Sequence, residues 1–331
     1  MRLKSVSLCF VSIAMFLLLS AGQALSNGNL MMFAAYGGKD EIFREFKKDT
    51  GITVEYLSMS SGEVLSRVRA EKGKPIGDVW FGGGVDSFIA AKADGLLEHY
   101  VPKGAQAIPT QFRDKDGYWT GVSLVTVSFI VNKEVCKEKG VEIPQTWQDL
   151  LNPAFKGEIL MSNPSISGTA YTILTGILQT MGVEKGWEYL DKLNAQIPYY
   201  AKRGSEPPKK AALGEVMVGL SPGTYEELAK EGYPVTGVLP KDGTPWWPAP
   251  AAIFKGTKNL KEAKAFMDWC TSKKGQEILK KYCVRVPTRS DVNPPEILSA
   301  VKEANLMTID FEKAGKERDA LVKKWQERHA K

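Results

Sequence analysis

The sequence predicts an α/β protein of two lobes, each a mainly parallel sheet flanked by helices, with a cleft between them. Short β-rich apolar runs alternate with amphipathic helical patterns, the order that produces parallel sheets with right-handed crossovers. A run of strand formers around residue 125 is long enough to pass from one sheet to another. Beyond residue 132 the alternation begins again, which indicates a second unit.

The first 24 residues have the pattern of a secretory signal peptide. A basic start at Arg2 and Lys4 precedes an apolar run from Leu8 to Leu19, and small residues lead to a cleavage site after Ala24. The run is shorter than the roughly 20 helical residues that cross a bilayer. We therefore expect removal of residues 1–24 by cleavage after Ala24, with cleavage after Ser26 as the alternative, and export of the mature chain to the periplasm.

The first lobe is expected to comprise residues 27–125 plus 248–331. Its strands are LMMFAAY, ITVEYLS and the VWF of GDVWFGGG, each followed by a helical pattern. The helices are KDEIFREFKKDTG, which Gly51 closes as a C-cap, GEVLSRVRAEKG and VDSFIAAKADG. Two helices at 259–282 and one long charged helix, FEKAGKERDALVKKWQERHAK, complete this lobe.

The second lobe is expected to comprise residues 126–247. TWQDLLNPAFKG predicts a helix and turn, and EILMS, AQIPYYA and VMVGLSP predict strands. The helices between them are GTAYTILTGILQTMG, WEYLDKLNAQI, PPKKAALGE and TYEELAKEG. GTPWWPAPAAIF then leads the chain back to the first lobe.

Polar loops rich in glycine and hydroxyl groups follow six of these strands. Carboxyl ends of strands in open α/β sheets line a ligand crevice, and the free N–H groups at helix N-termini attract anions. Capping alone explains any single loop, but their concentration at one edge favours an anion site. The ligand-binding candidates are Tyr36, Ser60, Ser61, Gly83, Ser167, Gly168, Thr169, Arg203, Tyr225 and Trp246.

These candidates have different expected roles. The hydroxyls and backbone groups around Ser61 and Gly168 would donate hydrogen bonds, and Arg203 would pair with an oxyanion in a bidentate fashion. Tyr36 and Tyr225 would close the sides of the site. Trp246 and its neighbour Trp247 could stack on the ligand or pack where the lobes cross.

Other classes of function find little support in the sequence. The chain has two histidines and no HExxH, GxSxG or P-loop motif, so a periplasmic enzyme is the weaker alternative. We expect no cofactor and no resident metal. Basic and acidic residues are interspersed around a net charge of +6, which argues against a nucleic-acid partner. Cys270 and Cys283 would lie roughly 15 Å apart on helices, too far for a disulfide, so with Cys136 they should be buried thiols.

Several segments resemble the periplasmic solute-binding proteins of ABC importers. The matching segments are YLSMSSGEVLSRVRAEKGKPIGDVWFGGG, TWQDLLNPAFKGEI, SNPSISGTAYTIL and SKKGQEILKKY with RVPTR. They resemble most the group that includes ferric-ion, aminoethylphosphonate and hexose-phosphate binding proteins, over roughly Leu30 to Arg289. The resemblance implies a type II periplasmic-binding-protein fold, hinge closure around the ligand, a cognate inner-membrane permease as partner, and a monomer.

The ligand class follows from details of that resemblance. Ferric-ion binders of the group carry two adjacent tyrosines after the strand that corresponds to VMVGLSP, whereas this chain has Thr224 and Tyr225. SISGTAY and YAKRGSEPP resemble the phosphorylated-solute branch, although Arg203 stands where a small residue is common. The resemblance thus implies a small anionic solute, namely a phosphate ester, phosphonate or carboxylate. A ferric-ion receptor of the same fold is the alternative.

Overall fold

The computed structural model describes residues 28–71, 73–223 and 226–329. The predicted signal peptide, residues 1–24, lies outside these ranges. None of the helices within them is both long enough and apolar enough to cross a bilayer.

The predicted strands and helices follow one another in the predicted order, whereas one short helix, Lys133–Glu138, and two strands, Val235–Val238 and Val286–Pro287, were not predicted. The strands are β1 (Asn29–Ala34), β2 (Thr53–Ser58), β3 (Val79–Phe81), β4 (Thr120–Asn132), β5 (Ile159–Ser162), β6 (Tyr200–Ala201), β7 (Val218–Pro222), β8 (Val235–Val238), β9 (Trp246–Ile253) and β10 (Val286–Pro287). The helices are α1 (Lys39–Thr50), α2 (Ser61–Ala70), α3 (Val85–Ala93), α4 (Lys133–Glu138), α5 (Gly168–Met181), α6 (Val183–Gln196), α7 (Glu206–Ala212), α8 (Glu226–Lys230), α9 (Leu260–Thr271), α10 (Lys273–Cys283), α11 (Phe311–Lys316) and α12 (Arg318–His329).

All described strands belong to one mixed sheet with the order β2-β1-β3-β9-β4-β7-β5-β6, and β8 and β10 also pair with β4. β1 is parallel to β2 and β3, and β5 is parallel to β6 and β7. Because parallel neighbours end at the same edge, each set places the loops that follow its strands together. We refer to the half with β1–β3 as lobe 1 and the half with β5–β8 as lobe 2.

Strand β4 connects the two lobes. Its first part, Thr120 to Thr126, pairs with β9, and its second part, from Val127, pairs with β7 and β8. The change of partner therefore lies beside the predicted boundary at residue 126. The division into lobes with those exact limits stays a prediction.

The first helix shows how the sequence pattern builds the core. Ile42, Phe43 and Phe46 are the buried positions of α1, and Phe46 packs edge-on against Phe266 with ring centroids 5.1 Å apart. Gly51 takes a left-handed conformation (φ 76°) and donates its N–H to the Lys47 carbonyl, as a C-cap glycine does. Fully burying one such phenylalanine contributes about 1.5–3 kcal/mol.

Two helix predictions were wrong in detail. TWQDLLNPAFKG forms two 3₁₀ turns, Gln148–Leu151 and Pro153–Phe155, because a residue before proline disfavours helical geometry. The single C-terminal helix is instead α11 and α12, which meet at Glu317. α11 packs on α3 of lobe 1. α12 contacts α3 of lobe 1 as well as α6 of lobe 2.

The three cysteines within the described ranges are free thiols. Cys136 and Cys270 are buried, as predicted, whereas Cys283 is only half-buried. Its sulfur lies 2.9 Å from the carbonyl oxygen of Gly37.

Candidate functional site

A cavity of about 330 Å³ lies between the two lobes. Lobe 1 lines it with residues that follow β1, β2 and β3, and lobe 2 with residues that follow β5 and β6, together with Pro222 at the end of β7. The central strands contribute Val125, Trp247 and Ala249. This is the crevice at the carboxyl ends of strands that the sequence pattern predicts.

Three helix N-termini meet at the cavity. α2, α3 and α5 begin at Ser61, Val85 and Gly168, immediately after lining loops. The Gly84 amide donates to the Ser61 hydroxyl at 3.2 Å. A Cβ on Gly84 would lie only 2.7 Å from the Gly168 Cα, so the two loops touch through backbone. The positive ends of the dipoles of these helices favour negative charge in the space between them.

Hydrogen bonds within the chain shape the lobe 2 loop. The Asn163 side chain accepts from the Ser165 amide at 2.8 Å and from the Ser165 hydroxyl at 2.6 Å. The Asn163 carbonyl accepts from the Ser167 amide at 2.8 Å. These hydrogen bonds direct the loop into α5. As a result Ser167 and Thr169 line the cavity, although both side chains are buried.

The charged residues of the lining are all basic. They are Lys39 and Arg285 on the lobe 1 side and Arg203 and Lys209 on the lobe 2 side. None of the lining residues within the described ranges is Asp or Glu. The cavity thus combines helix N-termini with cationic side chains, which suits an anion rather than a cation.

Two of these cations connect the lobes. Arg203 donates from its Nη2 to the carbonyl of Ser58, at the end of β2, at 3.2 Å. Arg285 donates from its Nη1 to the carbonyl of Pro222, at the end of β7, at 3.1 Å. The Gly62 amide also donates across the cleft, to the Ile166 carbonyl at 2.9 Å. In this structure the lobes are therefore in contact around the cavity.

Tyr36 lines the cavity with its ring, while its hydroxyl is directed elsewhere. The hydroxyl donates to the Ser123 hydroxyl at 2.5 Å, and the ring stacks on Phe81 with centroids 4.5 Å apart. The pKa of the Tyr36 phenol is raised well above its ordinary value, mainly by burial and to a smaller extent by the nearby Cys283 thiol. The side chain is thus a neutral wall of the site.

The structure brings most of the predicted residues together. The cavity lining includes Tyr36, Ser60, Ser61, Gly83, Ser167, Gly168, Thr169 and Arg203. Tyr225 lies outside the described residues.

Trp246 is not among the lining residues. Its indole donates to the Met307 carbonyl at 2.9 Å and its ring packs edge-on against Phe311. The adjacent Trp247 lines the cavity instead and donates to the Gly83 carbonyl at 2.9 Å. The reason is the period of a strand, in which neighbouring side chains point to opposite faces.

Sequence reasoning missed Lys39, Lys209 and Arg285 as cavity residues. Lys39 starts the helix that follows the first lining loop, a position that could have been noticed from the strand–loop–helix pattern. Arg285 lies between α10 and β10, far along the chain from the other loops, and no local pattern points to it. Within the described ranges, no group of three or more His, Cys, Asp or Glu side chains is placed to hold a metal ion.

Comparisons with known proteins identify the family and the fold of the chain. The family model described as bacterial extracellular solute-binding protein matches residues 75–317. The structure of the periplasmic binding protein AfuA from Actinobacillus pleuropneumoniae, with exogenous fructose-6-phosphate bound, is 32% identical with a TM-score of 0.88. The match covers 92% of this chain and 99% of that one.

Two further relatives extend the comparison. A putative 2-aminoethylphosphonate-binding periplasmic protein of Salmonella paratyphi A is 26% identical over 269 residues, which cover 77% of this chain and 75% of the relative. Iron-bound HitA from Pseudomonas aeruginosa has a TM-score of 0.76 at 21% identity, over 90% of this chain and 99% of that one, a likeness of fold alone. The predictions of a two-lobed binding-protein fold, and of a solute-binding rather than an enzyme family, are confirmed by these matches.

Proposed function

The chain belongs to the bacterial extracellular solute-binding protein family, and from this premise we propose that it is the periplasmic receptor of an ABC importer for a small phosphate ester or phosphonate. It would pass its ligand to a cognate inner-membrane permease. Relatives described as periplasmic binding proteins support the location, and relatives with fructose-6-phosphate or aminoethylphosphonate in their descriptions support the ligand class.

One observation carries the ligand proposal: three helix N-termini and four cationic side chains surround one cavity that lacks carboxylates in the described part of its lining. A phosphoryl or phosphonyl group presents three oxygen acceptors and up to two negative charges. Backbone amides at helix N-termini bind such oxygens, and an arginine binds two of them in a fork. A monocarboxylate would use fewer of these donors.

The mechanism we propose is closure of the lobes around the ligand. Arg203 and the loop before α5 belong to lobe 2, whereas Ser61 and Gly83 belong to lobe 1, so one bound anion would contact both lobes. Contacts that exist only when the lobes meet shift the population toward the closed state. Hinge closure of this kind is a known use of two-lobed folds.

The ferric-ion alternative has weaker support from the donor set. Fe(III) is a hard cation and prefers anionic oxygens. The hydroxyl of Tyr36 is hydrogen-bonded to Ser123, its pKa is raised by burial, and the described lining offers no carboxylate. Tyr225 alone would be a poor site for this ion. The likeness to iron-bound HitA is therefore one of fold.

The test is a binding screen of ligand-stripped mature protein. We expect fructose 6-phosphate, glycerol 3-phosphate or 2-aminoethylphosphonate to raise the melting temperature, because a ligand at 100 times its Kd stabilises by about 2.7 kcal/mol. Fructose and glycerol serve as matched controls without the phosphoryl group, and citrate tests the carboxylate arm. Calorimetric titration of the active compound should give one site per chain.

Two results would overturn the proposal. One is stabilisation by Fe(III) with an added anion, together with a visible tyrosinate charge-transfer band. The other is equal stabilisation by the phosphorylated and unphosphorylated member of each pair.

A further inference from the structure

Arg318, the first residue of α12, is a buried cation that lies behind the ligand cavity. Its side chain is only 6% exposed, and that of its partner Asp86 is 4% exposed. It does not line the cavity. Its contacts nevertheless reach two of the helix N-termini that do.

On the lobe 1 side, Arg318 holds the first turn of α3. Its Nε donates to Asp86 Oδ2 at 2.8 Å. Asp86 is the second residue of α3, the helix that begins directly after Gly83 and Gly84 of the cavity lining. The Arg318 Nη2 also lies 2.9 Å from where a Cβ on Gly62 of α2 would be. The guanidinium is thus packed against the starts of α2 and α3.

On the lobe 2 side, the same guanidinium holds the loop that leads into α5. Its Nη2 donates to the Ser165 carbonyl at 3.2 Å, two residues before Ser167 of the lining. Its carbon lies 5.3 Å from the ring centroid of Tyr171 in α5. The Tyr171 hydroxyl in turn donates to the Ala314 carbonyl of α11 at 2.6 Å.

Helix α12 itself is attached to both lobes. Near its start, Asp319 accepts two hydrogen bonds from Arg69 of α2, both at 3.0 Å. At its end, Arg328 and His329 contact Asp191 of α6. Twelve residues span about 18 Å of helix, so α12 runs from lobe 1 to lobe 2.

We propose that Arg318 is a positioning residue for ligand capture: it holds the N-termini of α3 and α5 together and stabilises the contact between the lobes. This inference rests on the proposed function, because the groups it positions are those assigned to the anion. A buried guanidinium is stable only while its hydrogen-bond partners surround it. Opening of the lobes would remove the Ser165 carbonyl, so the closed state is favoured.

One backbone amide reports on this contact without any ligand. Gly62 lies in the first turn of α2, where amides lack a partner within the helix, and it donates across the cleft to Ile166. Its protection from hydrogen exchange therefore depends on the contact between the lobes. The Val64 amide donates to the Ser60 carbonyl within α2 at 3.0 Å and is the internal control.

The experiment measures amide exchange by NMR in ligand-free Arg318→Met and in the matched control Arg328→Met. Arg328 is on the same helix and is also paired with an aspartate over an aromatic ring, but it contacts lobe 2 alone. We expect the Gly62 amide to exchange about tenfold faster in Arg318→Met, the scale of one lost charged hydrogen bond. Val64 should keep its rate, and Arg328→Met should leave both amides unchanged.

The affinity for fructose 6-phosphate or 2-aminoethylphosphonate, whichever binds the unmodified protein, should fall about tenfold in Arg318→Met, mainly through faster dissociation.

If Arg318→Met does not fold because Asp86 is left unpaired, the double variant Asp86→Asn/Arg318→Met removes both charges and should give the same two results. An unchanged Gly62 rate, or a parallel rise at Val64, would overturn the inference. If the unmodified protein binds no phosphorylated probe, the proposed function fails, while the Gly62 comparison still decides the role of Arg318 in holding the lobes together.

Discussion

At the scale of single residues, the two arginines that line the cavity have distinct origins. Arg203 follows β6 in lobe 2, while Arg285 comes from the lobe 1 segment between α10 and β10. Each donates to a carbonyl of the opposite lobe. An anion between them would be contacted from both sides, so each side chain should contribute to affinity and to closure.

We therefore expect Arg203→Ala and Arg285→Ala each to weaken binding of a phosphorylated ligand by about 1.5–3 kcal/mol, the scale of a charge-assisted hydrogen bond. Isothermal titration calorimetry measures the loss. Lys202→Ala is the matched control, because Lys202 is an exposed cation next to Arg203 that does not line the cavity. If Lys202→Ala weakened binding as much, general charge and not a specific contact would be responsible.

The hydroxyl of Tyr36 tests whether the site binds an anion or a ferric ion, because only a ferric ion would need this oxygen as a ligand. Its hydroxyl donates to Ser123, so Tyr36→Phe should cost about 1 kcal/mol of unfolding free energy. The affinity for a phosphate ester should stay within about threefold, because this hydroxyl is not directed at the ligand. Urea denaturation and calorimetry measure the two effects. A large loss of ligand affinity with unchanged stability would mean that the hydroxyl turns to the ligand on binding.

Which of these residues can be found from sequence depends on how locally they are determined. Ser61, Ser167 and Thr169 follow strands and begin helices, so the chain pattern alone predicts that they line a strand-end crevice. Trp246 and Trp247 are neighbours in β9, and only the tertiary structure decides which of the two faces the cavity. Arg285 reaches the site because α10 packs beside α1, a long-range contact with no local sequence pattern.

At the scale of elements, one buried aspartate connects two strands of lobe 1 with the turn before α9. Asp78, directly before β3, is buried and accepts from the Met31 amide of β1 at 2.8 Å. It also accepts from the Thr257 hydroxyl at 2.5 Å and from the Asn259 side chain at 3.1 Å. One carboxylate thus connects β1, β3 and the turn before α9.

Asp78→Ala should lower the unfolding free energy by about 3 kcal/mol, because it leaves buried donors without an acceptor. Guanidinium denaturation followed by circular dichroism measures the loss. Glu327→Ala is the control, since Glu327 pairs with Lys323 at the surface, where both side chains are more than half exposed, and its loss should cost less than about 1 kcal/mol. A similar loss in both variants would indicate that the Asp78 contacts contribute no more than a surface ion pair.

The element predictions succeeded where periodicity and caps agree. α1 combines an apolar pattern with the C-cap Gly51, α5 combines one with the polar loop before it, and both helices form over nearly the predicted residues. The C-terminal segment is mostly polar and has no internal proline, so its pattern continues through Glu317. The helix is interrupted there because α11 packs on α3 while α12 turns toward lobe 2. The packing of α11 on α3 is tight, since a Cβ on Gly315 would lie 2.4 Å from Ile89.

At the scale of the whole molecule, the backbone part of the contact between the lobes is made by glycines. A Cβ on Gly62 would lie 2.4 Å from the Ser165 carbonyl oxygen, and one on Gly168 would lie 2.5 Å from the Gly84 Cα. Gly62, Gly84 and Gly168 all have ordinary backbone φ angles. Conformational freedom is therefore not what requires glycine there. The requirement comes from the opposite lobe.

Gly62→Ala should consequently separate folding from closure. Within α2 an alanine is the better helix former by about 1 kcal/mol, so we expect the unfolding free energy to stay within about 1 kcal/mol of the unmodified value. The methyl group would collide with the Ser165 carbonyl when the lobes meet, so ligand affinity should fall at least about tenfold. Small-angle scattering with saturating ligand should show a larger radius of gyration. Ser66→Ala is the control, because Ser66 is an exposed residue of the same helix and does not line the cavity. Full affinity and a compact shape in Gly62→Ala would mean that the loops yield, and that backbone contact between the lobes does not limit closure.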